Sequence, residues 1–389
     1  MRTIYLDNNA TTRPTPSAIE AVAESMRTHW HNPSSVHRPG QDARHALEIS
    51  RASLASLIGA PPRRLTLTAS GTESINLAIR GALGAGAAFN KRTVVTTAAE
   101  HAAIRDLCEQ LGPDGVAVKL IPLKQGGVID IDALPALIDD TTAVVSVQWA
   151  NNETGAIQPV ERIGSICRAA GVPYHCDATQ WVGKMPCDLS APDAPAIGML
   201  TFSAHKFHGP RGVGGLWTAG TVRLRPTMPG SQELGRRAGT EDLPAIAGAG
   251  AAATEALAWL DQPGERERLG AMRDRFERGV LDAVPDTSIN APEDPALRLW
   301  NTTNIAFPRL EAEALLMGFS ERGLCASAGA ACSSGSLDPS PVLLAMGVPP
   351  EHAHGSVRFS LSRDTTEHDI DHAIDVVRLI ADRMYQRLP

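Results

Sequence analysis

Lysine is scarce in this sequence. Of 36 basic residues only five are lysine: Lys91, Lys119, Lys124, Lys184 and Lys206. Arginine does the ordinary surface work, so a lysine in an apolar, glycine-rich setting asks for a chemical explanation. Other absences narrow the function. There is no basic block and the formal net charge is −7, which argues against nucleic acid and anionic membranes as partners. The opening "MRTIYLDNNATT" lacks the apolar core of a signal peptide, so the expected compartment is the reducing cytoplasm. Six cysteines spread over 389 residues do not read as a disulfide framework. No fixed-period repeat or low-complexity tract appears, and the runs "GALGAG" and "GVGG" match neither a P-loop nor a dinucleotide fingerprint. "HDIDH" sets His368 and His372 at a ligand-like spacing, but HExxH is absent and the neighbours are charged. That segment reads as a solvated helix face, and no metal site is expected.

What is present is a long soluble chain, large enough for two domains. Its most apolar stretch, "LPAIAGAGAAATEALAWL", is broken by Gly and Glu255 and reads as a closely packed Ala/Gly helix rather than a membrane span. Upstream of it, short β-type runs alternate with helical segments. "RLTLTA" precedes "GTESINLAIRGAL", and "RTVVTT" precedes "AEHAAIRDLCEQL". "AVVSVQWA" leads to "VERIGSICRAAG", then "VPYHCDA" and "GMLTFSA" follow. This rhythm predicts an α/β fold with a largely parallel sheet between helices. From about residue 260 charged helices, the strands "NTTNIAFP" and "SVRFSLS" and a last amphipathic helix predict a second, smaller α+β domain. The large domain is expected over 16–260, and the small one over 1–15 and 261–389.

Ligands of such sheets bind beyond the carboxyl ends of the strands, so the polar residues closing each strand are the place to search. They are "ASGTES", "EHAA", "NNETG", "DATQ" and "SAHKFHGPRG". Ser70, Gly71 and Thr72 open a helix, either as a simple cap or as a phosphate cradle. His101 is either a cap, a packed core histidine or a functional group, and Asp177 either another cap or a functional carboxylate. Taken together on one sheet edge they point to a site. A lysine can lose its proton and attack a carbonyl, so Lys206 is read as forming a Schiff base with pyridoxal phosphate. Ser70–Thr72, Ser203 and His205 would hold the phosphate, and Asp177 would keep the pyridine nitrogen protonated. His101 would lie on the ring and Gln180 would bond the phenolic oxygen.

At this point the chain resembles a group I cysteine desulfurase of the NifS/IscS type, in the class V aminotransferase branch of fold-type I pyridoxal-phosphate enzymes. The resemblance runs in order through "YLDNNATT" (5–12), "SGTESIN" (70–76), "EHAA" (100–103), "NNETG" (151–155) and "DATQ" (177–180). It continues through "SAHKFHGPRG" (203–212), "GSQELGRRAGTE" (230–241), "GAACSSGSLDPS" (329–340) and "VRFSLSRDTT" (357–366). It implies a seven-stranded, mainly parallel sheet, a homodimer, and conversion of L-cysteine to L-alanine with the sulfur held as an enzyme persulfide. A sulfur acceptor or iron–sulfur scaffold protein would receive sulfur and cluster at or near Cys332.

The resemblance also implies roles. Lys206 carries the cofactor and moves protons, and His101 acts in acid–base steps. Asn152 and Arg358 hold the substrate carboxylate, and Thr240 reaches the phosphate of the neighbouring subunit. Cys332 is the nucleophile, on a loop of small residues spanning about 322–340, and Cys325 is its rival.

Ala330 stands where relatives commonly carry Ser, and Asp242 where they often carry Asn. The chain ends soon after its last helix, without the longer tail of housekeeping members, which favours a nitrogen-fixation-type member. The competing readings are another class V reaction, such as selenocysteine lysis or transamination, and a non-catalytic partner of a sulfur carrier. The Cys332 loop argues against the simple aminotransferase, and the presence of both Lys206 and Cys332 against the non-catalytic partner.

Overall fold

The computed structural model describes residues 3–328 and 338–387. After a short strand β1 (Ile4–Tyr5), seven strands build the main sheet: β2 (Leu65–Thr68), β3 (Thr93–Thr96), β4 (Ala117–Leu120), β5 (Thr142–Ser146), β6 (Tyr174–Asp177), β7 (Met199–Ser203) and β8 (Gly214–Thr218). Their order across the sheet is β2-β8-β7-β6-β5-β3-β4, and β8 alone runs antiparallel to its neighbours. The expected parallel sheet is therefore present, and β2, β3, β5, β6 and β7 end on one edge. Val94, Val95, Val144 and Val145 are fully buried, as strands covered on both faces require. The edge strand β4 is missing from the sequence series: it is short, most of its side chains are exposed, and Lys119 interrupts its apolar residues.

Helices follow the strands as the rhythm predicts, at Gly71–Gly86, Ala102–Leu111 and Val160–Ala169. The Ala/Gly stretch is one helix, Leu243–Leu260, long and apolar enough to cross a membrane but mostly buried against helices Pro16–Thr28 and Arg38–Ser56. Its small residues are needed for that approach: a Cβ at Gly248 would stand 2.6 Å from Val22 Cγ2, and one at Gly250 3.0 Å from Ser50 Cα. Asp242 caps this helix, accepting from the Ala245 N–H at 3.2 Å, a task Asn performs equally well. The "GVGG" run is likewise a packing feature. A Cβ on Gly214 would lie 2.3 Å from the Ser70 carbonyl, and one on Gly215 2.3 Å from the Phe202 ring.

A second sheet has the order β12-β13-β10-β9, formed by β9 (Ser288–Ile289), β10 (Thr302–Ala306), β12 (Ser327–Ala328) and β13 (Ser356–Ser360). The short β11 (Leu324–Cys325) pairs in parallel with β1. Phe276 and Phe319 pack on Phe359 of β13 with ring centroids 4.8 and 6.0 Å apart. All three are buried, and each contributes roughly 2–3 kcal/mol of apolar burial. From this sheet the chain segment 7–12 runs to the edge of the large one. The Asn8 amide donates to the Ser360 carbonyl at 2.9 Å, while the Thr12 N–H donates to the His205 carbonyl at 2.9 Å.

Candidate active site

The strand ends open into one cleft of about 420 Å³, lined by residues from both sheets. At the end of β2, the Ser70 hydroxyl accepts from the Glu73 N–H at 3.1 Å and so caps helix Gly71–Gly86. The cap reading is right for that side chain, yet the helix N-terminus with Gly71 and Thr72 still faces the cleft. Its first N–H groups lack intrahelical acceptors, which suits an anion.

At the next helix, His101 is also a cap: its Nδ1 accepts from the Ala103 N–H at 3.1 Å. This leaves the proton on Nε2. Burial lowers the His101 pKa from its ordinary value, and Lys206 adds to that while Asp177 opposes it. The neutral imidazole is thus favoured.

Asp177 closes β6 and is buried. Its Oδ1 accepts from the Thr179 N–H at 3.1 Å, the Thr179 hydroxyl at 2.5 Å and the Thr201 hydroxyl at 3.1 Å. Behind Thr201 lies His175, whose Nε2 is 3.3 Å from the Thr201 hydroxyl and whose Nδ1 is 2.8 Å from that of Ser146. Because Thr201 donates to Asp177, His175 donates to Thr201 from Nε2 and accepts from Ser146. Burial depresses its pKa to about 4, so it is neutral near pH 7.

Lys206 follows β7. Its Nζ donates to the carbonyls of Asn9 at 2.6 Å and Ala10 at 2.8 Å. Ser203 and His205 line the same cleft. Burial, followed by the charge of Lys206, pushes His205 down to about 4, so it meets a ligand as a neutral ring. Its Nδ1 is 3.1 Å from the Thr11 hydroxyl. Gln180 donates from Nε2 to the Asn9 carbonyl at 3.1 Å and accepts at Oε1 from Lys184 Nζ at 2.6 Å.

Arg358 comes from the centre of the second sheet, opposite Asn304 on β10 and Ser327 on β12. It is buried rather than a surface charge. Its guanidinium donates to the Asn152 carbonyl at 3.2 Å and to Asp7 Oδ1 at 2.7 Å, while its buried Nε has no partner. Asn152 lines the cleft beside it. A buried, unpartnered donor on a guanidinium is a place for a carboxylate.

The cleft therefore gathers Gly71, Thr72, His101, Asn152 and Asp177 with Gln180, Ser203, His205, Lys206 and Arg358. Thr240 is not among them and stands exposed between two helices. Cys332 lies outside the described residues. Cys325 is half-buried, and burial followed by the Asp7 charge raises its thiol pKa. His368 and His372 line a separate groove with Arg322, and among the described residues no three His, Cys, Asp or Glu side chains group as metal ligands.

Sequence reasoning missed Asn9, which sits at the hub of the cleft wall. Its side chain bonds Thr302, Lys184 and Asn301, and its carbonyl takes Gln180 and Lys206. The signal is the paired Asn8-Asn9 in "YLDNNATT". Lys184 was missed although the scarcity that singled out Lys206 applied equally to it.

The donor set fits pyridoxal phosphate. A helix N-terminus with Ser203 and neutral His205 suits a phosphate, and Asp177 keeps one carboxylate oxygen for a protonated ring nitrogen. An imidazole, a lysine amine and a buried guanidinium complete the cleft.

The model of the "Aminotransferase class-V" family matches residues 4–373. A "Cysteine desulfurase" of Nostoc sp. is 43% identical over 99% of this chain and 94% of its own length. "Cysteine desulfurase NifS" of Azotobacter vinelandii is 43% identical over 96% of this chain and 91% of its own. A solved "NIFS-LIKE PROTEIN" superposes with a TM-score of 0.89 at 32% identity, covering 98% of this chain and 100% of that one. "SspA in complex with cysteine" gives 0.80 at 29% identity over 94% and 100%.

Proposed function

The chain belongs to the aminotransferase class-V family, and we propose that within it the protein is a pyridoxal-phosphate-dependent cysteine desulfurase that converts L-cysteine to L-alanine. The observation that carries this reading is the convergence of Lys206 and the buried, part-unpartnered Arg358 on one cleft. One supplies an amine for a carbonyl cofactor and the other a fork for an amino-acid carboxylate.

Lys206 would hold the cofactor covalently, and the helix N-terminus at Gly71–Thr72 with Ser203 and His205 would take its phosphate. Asp177 would bind the ring nitrogen, Gln180 the phenolic oxygen, and His101 the ring face. Bound pyridoxal phosphate supplies an electron sink for the substrate's Cα. Arg358 and Asn152 orient the substrate carboxylate. His101, neutral and protonated on Nε2, and Lys206 hold and move protons near Cα.

The sulfur step belongs to Cys332, assigned from the resemblance. Its thiolate attacks the substrate sulfur, an S–S bond forms, and the substrate C–S bond breaks. The electron pair stays on the carbon skeleton, which takes up a proton to leave as alanine. Burial raises the pKa of the rival Cys325, which disfavours a thiolate there. Thr240 is exposed on its own chain, as a residue donated to a neighbouring subunit's phosphate must be. The homodimer as working unit rests on the resemblance, and that exposure allows it. The setting would be cytoplasmic sulfur supply for iron–sulfur clusters, and similarity to a NifS protein favours a nitrogen-fixation role.

The test is L-alanine production from L-cysteine with a reductant. Wild type should form alanine, and Cys332→Ala should stay loaded with cofactor and form none. No alanine from loaded wild type would move the protein to another class V reaction.

A further inference from the structure

Lys184 sits beneath the cleft, in the turn after β6, and is not among the cleft's lining residues. It is buried, and its Nζ donates to Asn9 Oδ1 at 2.8 Å and to Gln180 Oε1 at 2.6 Å. Both acceptors are neutral amides. The charges that act on it, Lys206 and Arg358, are positive. Burial, together with these two cations, drives its pKa well below the ordinary lysine value. Its Nζ gives one N–H to each of the two amide oxygens.

A buried polar terminus among cations is a costly way to fill space that Met or Leu would fill. Its effect is on orientation. An N–H aimed at Gln180 fixes the amide oxygen on the Lys184 side and the amide nitrogen on the other. One Gln180 N–H then meets the Asn9 carbonyl, and the second remains for the cleft that Gln180 lines. A flipped amide would set N–H against N–H. The same amine holds the Asn9 side chain, whose backbone carbonyl bonds Lys206.

We infer that Lys184 is a positioning residue: it locks the Gln180 amide so that an N–H donor faces the cofactor's ring oxygen, and it steadies Asn9 against Lys206. This rests on the reading of the cleft as a pyridoxal-phosphate site.

The experiment measures pyridoxal-phosphate binding to the apoprotein and the visible spectrum of the loaded protein, for wild type, Lys184→Met, Gln180→Ala and the double variant. Lys184→Met should weaken cofactor binding roughly tenfold and shift the visible band. Adding Gln180→Ala to it should change little further, because the two act as one unit. Lys184→Gln keeps a donor and should recover part of the affinity, and it replaces Lys184→Met if that variant does not fold. Wild-type affinity and spectrum in Lys184→Met would overturn the inference, as would multiplying effects in the double variant. So would failure of both Lys184 variants to fold, which would make the residue structural. If wild type binds no pyridoxal phosphate, the functional reading itself falls.

Discussion

Asp7 and Arg358, 351 positions apart in sequence, meet through a 2.7 Å hydrogen bond from Nη2 to Oδ1. The two reach each other because the segment after β1 runs alongside β13, with Asp7 bridged to Ser360. The pair keeps a buried guanidinium partly neutralised while its Nε stays unpartnered.

If that guanidinium binds the substrate carboxylate, Arg358→Lys should raise KM for L-cysteine by about tenfold or more, because a lysine cannot form the two-point fork. The change in kcat should be smaller, as expected for lost ground-state binding. Steady-state kinetics with L-cysteine checks this, and an unchanged KM would put the carboxylate elsewhere.

Lys206→Ala should leave no lysine able to hold the cofactor covalently. Borohydride treatment followed by mass spectrometry should find label on Lys206 in wild type and none on the variant. Label on another lysine would reassign the anchor.

A second buried pair is tied to strand β2. Arg51 Nη1 and Nη2 each lie 2.7 Å from a Glu233 oxygen, and Glu233 also accepts from the Leu67 N–H at 2.8 Å. Arg51→Ala strands a buried carboxylate and should cost about 3–5 kcal/mol. Arg51→Met combined with Glu233→Gln removes the charge, keeps an acceptor for Leu67, and should cost less. Urea unfolding of the three proteins decides it, and equal losses would refute the charge argument.

His175 predicts an acid-side dependence. Its native pKa of about 4 is below the ordinary 6.5, so between those values the unfolded chain binds more protons than the native one. The stability from this group is present above about pH 6.5 and is lost as pH falls toward 4, amounting to about 3 kcal/mol. His205, with a similar pKa, titrates in both proteins, so the informative quantity is a difference. Urea midpoints of wild type should fall more steeply over this range than those of His175→Gln. Parallel profiles would exclude His175 as the source.

Much of the fold was legible. Apolar runs such as "AVVSVQ" followed by amphipathic helices carry the parallel sheet, since strands buried on both faces need continuous apolar residues. The strand β4 was not legible, because a four-residue edge strand with a lysine in it and mostly exposed side chains is not set apart from its surroundings. Within the site, the sequence leaves two readings open for Ser70, cap or phosphate cradle, and three for His101, cap, packed core histidine or functional group. In the structure both side chains are caps, and the cap positions bring them to the cleft edge. The caps hold those residues where a ligand would meet them.

The sequence by itself determined which chemical groups close each strand, because local pattern sets strand ends and strand ends set the ligand edge. It marked Lys206 by its neighbours on β7 and its glycine-rich turn. Tertiary structure alone decided how two scarce lysines differ. Lys206 faces the cleft, held by the carbonyls of Asn9 and Ala10, whereas Lys184 lies beneath it against two amides. Hydrogen-bond partners fix a lysine's reach, and both lysines share one, Asn9, that lies more than 170 positions away in sequence.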